Sequence, residues 1–124
     1  MPKKILVLED DPYVADTLRL QLEAHGFEVD TASDGLEGLN RARADSPDLV
    51  LLEVVLPKLD GYHVCRLLKF DQQYRHIPIF ILTGRQRGSD RKTGEAVGAE
   101  EYLVKPCDID DLLGRIRQYL GENG

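Results

Sequence analysis

Short apolar runs alternate along this chain with longer stretches in which apolar residues recur at helical spacing. The first run, Lys3 to Leu8, is followed by the acids Glu9, Asp10 and Asp11 and by Pro12, after which Val14, Leu18 and Leu22 recur at i, i+4 and i+8. That pattern predicts a buried strand leading into an amphipathic helix with proline in its first turn. The unit returns: Glu28 to Ala32 is strand-like, and the stretch from Asp34 through Asp45 reads as a helix ended by Ser46 and Pro47. Leu49 to Leu52 is entirely aliphatic, as expected of a strand covered on both faces. After a loop, Val54 to Leu59, the spacing predicts a helix from Asp60 to Phe70, a strand from Ile77 to Leu82, a polar loop, a weak helix around Asp90 to Val97, and a strand from Tyr102 to Val104. Ile109, Leu112, Leu113, Ile116 and Leu120 then mark one face of a last helix, which starts after Pro106 with Asp108 as its N-terminal cap.

Five strands alternating with five helices imply an α/β fold: a parallel sheet with right-handed crossovers and helices on both faces. In such sheets the ligand crevice lies beyond the carboxyl ends of the strands, where the strand order reverses. The rule selects Glu9 and Asp10 after strand one, Glu53 after strand three, Thr83 at the end of strand four, and Lys105 before Pro106 after strand five.

Composition narrows the class. The length, 124 residues, suits one domain over 1–124 with a single core. Hydrophobic residues at 42% and charged residues at 31% fit a folded globular chain and exclude a disordered one. The formal net charge is −6 and the basic residues are scattered, so no direct contact with nucleic acid is expected. The run ending at Leu8 is too short for a signal-peptide core or a membrane span. Cys65 and Cys107 lack a metal-type spacing, which suggests reduced thiols and a cytoplasmic setting.

Glu9, Asp10 and Glu53 would place three carboxylates at one end of adjacent strands, and three ionised acids so close repel one another unless a cation sits among them. A hard divalent ion, Mg²⁺ first, is the simplest remedy. Taken alone, acids after a strand are equally well read as first-turn residues favoured by the helix dipole, and Asp11 is assigned that role. A lone Lys before Pro is usually a solvated loop residue, and a lone Thr at a strand end usually turns or caps the chain. Together, however, carboxylates, hydroxyl and ammonium form a phosphoryl-transfer site that works by electrostatics.

Four segments carry a resemblance over nearly the whole chain: Ile5 to Pro12 (ILVLEDDP), Leu49 to Gly61 (LVLLEVVLPKLDG), Ile79 to Gly84 (IFILTG) and Gly98 to Pro106 (GAEEYLVKP). In order and interval they resemble the landmarks of the receiver domains of two-component response regulators, the CheY-like superfamily. The resemblance implies a doubly wound (βα)5, flavodoxin-like fold with strand order 2-1-3-4-5. It implies that Glu9 and Asp10 hold Mg²⁺ together with the residue at 53 and the backbone carbonyl of Val55, and that Lys105 and Thr83 hold the phosphoryl group. It further implies a cis bond between Lys105 and Pro106, a switch role for Thr83 and Tyr102, and a loop shaped by Pro57 and Gly61. A sensor histidine kinase or phosphotransfer protein upstream and a protein target downstream are the implied partners. For Tyr102, a partly buried aromatic at a sheet edge is an equally good reading.

Position 53 departs from the family, whose pattern has the phosphate-accepting Asp where this chain has Glu. The extra methylene displaces the carboxylate by about 1.5 Å, and a misplacement of about 1 Å can cost on the order of a hundredfold in rate. Phosphorylation is therefore expected to be lost. The longer side chain also brings negative charge nearer to Lys105 and Thr83, a partial imitation of the phosphorylated state. A phosphoryl group carries about −1.5 to −2 charges and three acceptor oxygens, so the imitation is incomplete.

Other features weigh less. His25, His63 and His76 form no ligand cluster by spacing, and His63, within the third helix, is read as a surface or packing residue and not as a relay histidine. Arg91, Glu101, Asp111 and Arg115 resemble the charged positions through which one receiver subfamily dimerises. Polar Lys92 and Glu95 weaken that homodimer, and a solvated mixed-charge surface is the alternative. With the sequence ending at Gly-Glu-Asn-Gly, output by protein contact is expected, from a stand-alone module or from one part of a longer protein. The expected function is non-enzymatic signalling. The rivals are a phosphatase with an Asp nucleophile on a similar sheet, and a structural receiver-like module that binds neither metal nor phosphate.

Overall fold

The computed structural model describes residues 2–84 and 88–121. Its elements run β1 (Lys4–Leu8), α1 (Pro12–Ala24), β2 (Glu28–Ala32), α2 (Gly35–Asp45), β3 (Leu49–Leu52), α3 (Gly61–Lys69), β4 (Ile79–Thr83), α4 (Gly88–Ala96), β5 (Glu101–Val104) and α5 (Ile109–Leu120). The strands form one parallel sheet in the order β2-β1-β3-β4-β5. This is the expected doubly wound architecture. Residues 85–87, within the predicted polar loop, and 122–124, within the chain-end motif, lie outside the described residues.

Alternate strand residues feed two cores. Leu6, Leu8, Val50, Leu52, Ile79 and Ile81 pack with Leu39 and Ala42 of α2 and with Val64, Cys65 and Leu68 of α3. Ile5, Val7, Leu49, Leu51, Phe80 and Leu82 pack with Leu22 of α1 and with Leu112, Leu113 and Ile116 of α5. Every residue of β3 is buried, which accounts for its aliphatic sequence.

Four aspartates start helices. Asp11, Asp34, Asp60 and Asp108 accept hydrogen bonds from main-chain N–H groups of the first turns of α1, α2, α3 and α5, satisfying donors that have no partner within the helix. Strand four differs from the sequence expectation: Ile77 is buried but lies outside the ladder, which begins at Ile79 and extends to Thr83. The intervening Pro78 has no N–H to give to a neighbouring strand, and its carbonyl accepts from Val50 at 3.0 Å.

Candidate active site at the carboxyl edge of the sheet

The order reverses between β1 and β3, which are paired in register Leu8 to Leu52. Glu9 and Glu53 therefore leave the sheet side by side, with Glu53 N–H donating to the Leu8 carbonyl at 3.0 Å and Glu9 N–H to the Ala32 carbonyl at 3.0 Å. Thr83 ends β4 as a fully buried residue, and its carbonyl accepts from Lys105 N–H at 2.8 Å. The peptide bond between Lys105 and Pro106 is cis, as the resemblance implied. The structure thus brings Glu9, Glu53, Thr83 and Lys105 to one place.

Lys105 Nζ is the centre of the cluster. It donates to Glu53 Oε1 at 2.8 Å and also to Glu9 Oε1. Main-chain donors hold the other oxygens: Glu53 Oε2 accepts from Val54 N–H at 2.6 Å, and Glu9 Oε2 from Asp11 N–H at 3.2 Å. Thr83 is a further hydrogen-bond partner of the Glu53 side chain. Burial pushes the Glu53 carboxyl up, but Lys105, Thr83 and the Val54 N–H together outweigh it and hold the group below the ordinary range. For Glu9, 5% exposed, burial prevails over Lys105 and the Asp11 N–H, and its carboxyl lies above the ordinary range. Burial acts to lower the Lys105 ammonium, but its bonds to Glu53 and Glu9 leave it raised.

The remaining expected residues surround this centre. Asp10 is exposed on the rim, as is Val55. Pro57 shapes the loop through its carbonyl, which accepts from Gly35 N–H at 3.1 Å and Leu59 N–H at 2.7 Å. At Gly61 an added Cβ would stand 2.2 Å from the Glu53 carbonyl oxygen, so only glycine lets α3 pass this close to the end of β3. Tyr102 is buried on β5 with the Arg91 guanidinium 5.0 Å above its ring. Of the charged residues considered for a dimer, three pair within the chain: Arg115 bonds Glu101 and, at 3.2 Å, Asp111.

The acids do not fit a metal in the expected way. Among the described residues, no three Asp, Glu, His or Cys side chains are grouped so as to hold an ion. The two buried carboxylates turn to the ammonium instead. Sequence reasoning had Lys105 facing a phosphoryl group and missed its bond to Glu9, 96 positions away, a distance over which no local pattern carries a signal. It also missed the groove of about 460 Å³ beside Lys105, lined by Tyr13, Leu18, Pro106, Cys107 and Ile109 among others.

A family model described as the response regulator receiver domain matches residues 5–117. Among curated relatives, the chain is 39% identical over 120 residues to the DNA-binding dual master transcriptional regulator RpaA of Synechocystis, covering 97% of this chain and 49% of that protein. It is 42% identical over 120 residues to the response regulator MprA of Mycolicibacterium vanbaalenii, covering 97% of this chain and 51% of that protein. The chain thus spans about half the length of these relatives. A solved structure, the receiver domain of sensor histidine kinase PA1611 from Pseudomonas aeruginosa with magnesium coordinated in its active-site cleft, superposes with a TM-score of 0.89 at 28% identity, covering 98% of this chain and 99% of that one.

The name of the Synechocystis relative, a DNA-binding regulator, conflicts with the expectation from charge of no direct contact with nucleic acid. No described helix is long and apolar enough to cross a membrane. Receiver domains are signalling modules of two-component systems, and histidine kinases or phosphotransfer proteins are their partners. On the match of sequence and fold, this chain belongs to the response regulator receiver domain family.

Proposed function

We propose that the chain is a two-component receiver module in which Glu53 fills the phosphoacceptor position, so that the module signals without taking phosphate there. The observation that carries this reading is the hydrogen bonding of the Glu53 carboxylate to both Lys105 and Thr83, the two groups that the family resemblance assigns to the phosphoryl oxygens. In the proposed site Lys105 supplies positive charge, Thr83 supplies a hydroxyl donor, and the Glu53 carboxylate occupies part of the volume and charge of an acyl phosphate. A bound magnesium ion would supply charge neutralisation to phosphoryl transfer, but the acids as placed do not offer it a cage.

Output on this reading passes through protein contact, and the upstream partner is a histidine kinase or phosphotransfer protein that docks without productive transfer. A DNA-binding output is the second reading, favoured by the name of the Synechocystis relative. The test is intact mass after incubation with acetyl phosphate or phosphoramidate and Mg²⁺. The chain should keep its mass while Glu53→Asp gains one phosphoryl group; rapid modification at Glu53 would defeat the proposal.

A further inference from the structure

Burying two carboxylates side by side demands a cation, and the family supplies one as a metal ion. Here the demand is already met from within the chain. An ammonium has three protons to donate, and Lys105 directs its Nζ at one oxygen of each acid, 52 and 96 positions away. The second oxygen of each acid is fixed by a main-chain N–H, from Val54 and from Asp11. All four carboxylate oxygens are thus engaged by donors of the chain itself. Lys105 is one-quarter exposed, whereas the Glu9 and Glu53 side chains are only 5% and 11% exposed, so the contact is shielded from solvent on the acid side.

We propose that Lys105 is the built-in cation of this acid cluster, and that it excludes divalent metal from the site. Mg²⁺ requires oxygen ligands in near-octahedral array at about 2.0–2.1 Å, and here it would have to draw both carboxylates off their present donors. It would also have to enter beside a positive charge that the same acids already neutralise. The length of Glu53 makes the arrangement possible: one oxygen reaches Lys105 while the other still bonds the Val54 N–H. An Asp at this position is shorter by about one carbon–carbon bond, roughly 1.5 Å, and cannot keep both contacts at their present distances. The inference rests on reading Glu53 as the residue in the acceptor position, and extends it: the module's state becomes independent of Mg²⁺ as well as of phosphate.

The test uses the full chain with MgCl2 in calorimetry and MnCl2 as a paramagnetic probe of the Glu9, Asp10, Val54 and Val55 amides. The chain should bind Mg²⁺ at least ~tenfold more weakly than Glu53→Asp, and Lys105→Met, which keeps the stem and removes the charge, should recover at least ~tenfold in the Glu53 background. Lys105→Gln serves as a second variant should the first not give a native amide spectrum. Equal affinity of the chain and Glu53→Asp would overturn the inference whatever the Lys105 variants do. So would a folded Lys105 variant with unchanged affinity. Tight Mg²⁺ binding with no gain of phosphoryl mass would refute the cation role alone and leave the silent-acceptor reading standing, while a phosphoryl group on Glu53 would do the reverse.

Discussion

The two cysteines, Cys65 and Cys107, are both free thiols in different surroundings. Cys65 is fully buried on α3 with Sγ 3.5 Å from the Val97 carbonyl. Burial, and then the charge of Glu100 against that of Lys69, push its thiol up to about 12. Cys107 is partly exposed and shifted upward, first by burial and then by Asp111. Since the thiolate is the reactive form, iodoacetamide at pH 8 should modify Cys107 first and reach Cys65 only on unfolding, as read by peptide mass. Comparable rates in the folded protein would contradict the burial. The shift also fixes a pH dependence. The native state holds the Cys65 proton more tightly than the unfolded state, so the contribution is complete below the ordinary value of 9.0 and is lost as pH rises toward about 12. Cys65→Ala should therefore flatten part of the alkaline fall in Tm.

At the scale of elements, one ion pair joins α3, the start of β4 and the turn before β5 at the end of the sheet opposite Glu53. Lys69, in the last turn of α3, donates to the carbonyls of Arg75 at 2.7 Å and Ile77 at 3.0 Å and to Glu100 Oε2 at 2.7 Å. Glu100 Oε1 accepts from the N–H of Ile79, the first residue of β4, at 2.7 Å. The Lys69 side chain is 10% exposed and that of Glu100 25%. Removing one partner of a buried pair costs about 3–5 kcal/mol, and the partial exposure of Glu100 argues for less, about 2–3 kcal/mol for Lys69→Met. Urea denaturation measures this, and Glu100→Gln added to Lys69→Met should recover part of the loss. A cost under about 0.5 kcal/mol would mean that the pair behaves as an ordinary surface contact.

Across the whole molecule, the Glu53 carboxylate is connected to β5 through Lys105 and to β4 through Thr83. The buried Tyr102 lies beyond them, under Arg91 and so close to Gly94 that a Cβ there would stand 2.8 Å from its ring. A carboxylate brings one charge where a phosphoryl group brings about −1.5 to −2, so an intermediate bias toward an active-like state is expected. Amide NMR shifts of Thr83, Gly84 and Tyr102 should lie between those of the unphosphorylated and phosphorylated Glu53→Asp form, and Lys105→Ala should return them toward the former. Shifts coincident with the unphosphorylated form would make Glu53 an inert block.

The sequence by itself determined the alternating fold, the Asp108 cap and the strand-end positions of Glu9, Glu53, Thr83 and Lys105, because periodicity, capping and strand termination are local properties of the chain. The resemblance read from it also implies an Asp at the position where this chain has Glu53. Tertiary structure decided what those residues touch. It gave Lys105 to Glu9 and Glu53 together where a metal had been expected, joined Lys69 to Glu100, and paired Arg115 of α5 with Glu101 of β5. It also moved the start of β4 past Pro78. The physical reason is common to all but the last: an ion pair is chosen by the reach of side chains that the folded sheet brings together from distant positions, and no local pattern encodes that reach. At β4, the missing N–H of Pro78 matters only once β3 lies beside it.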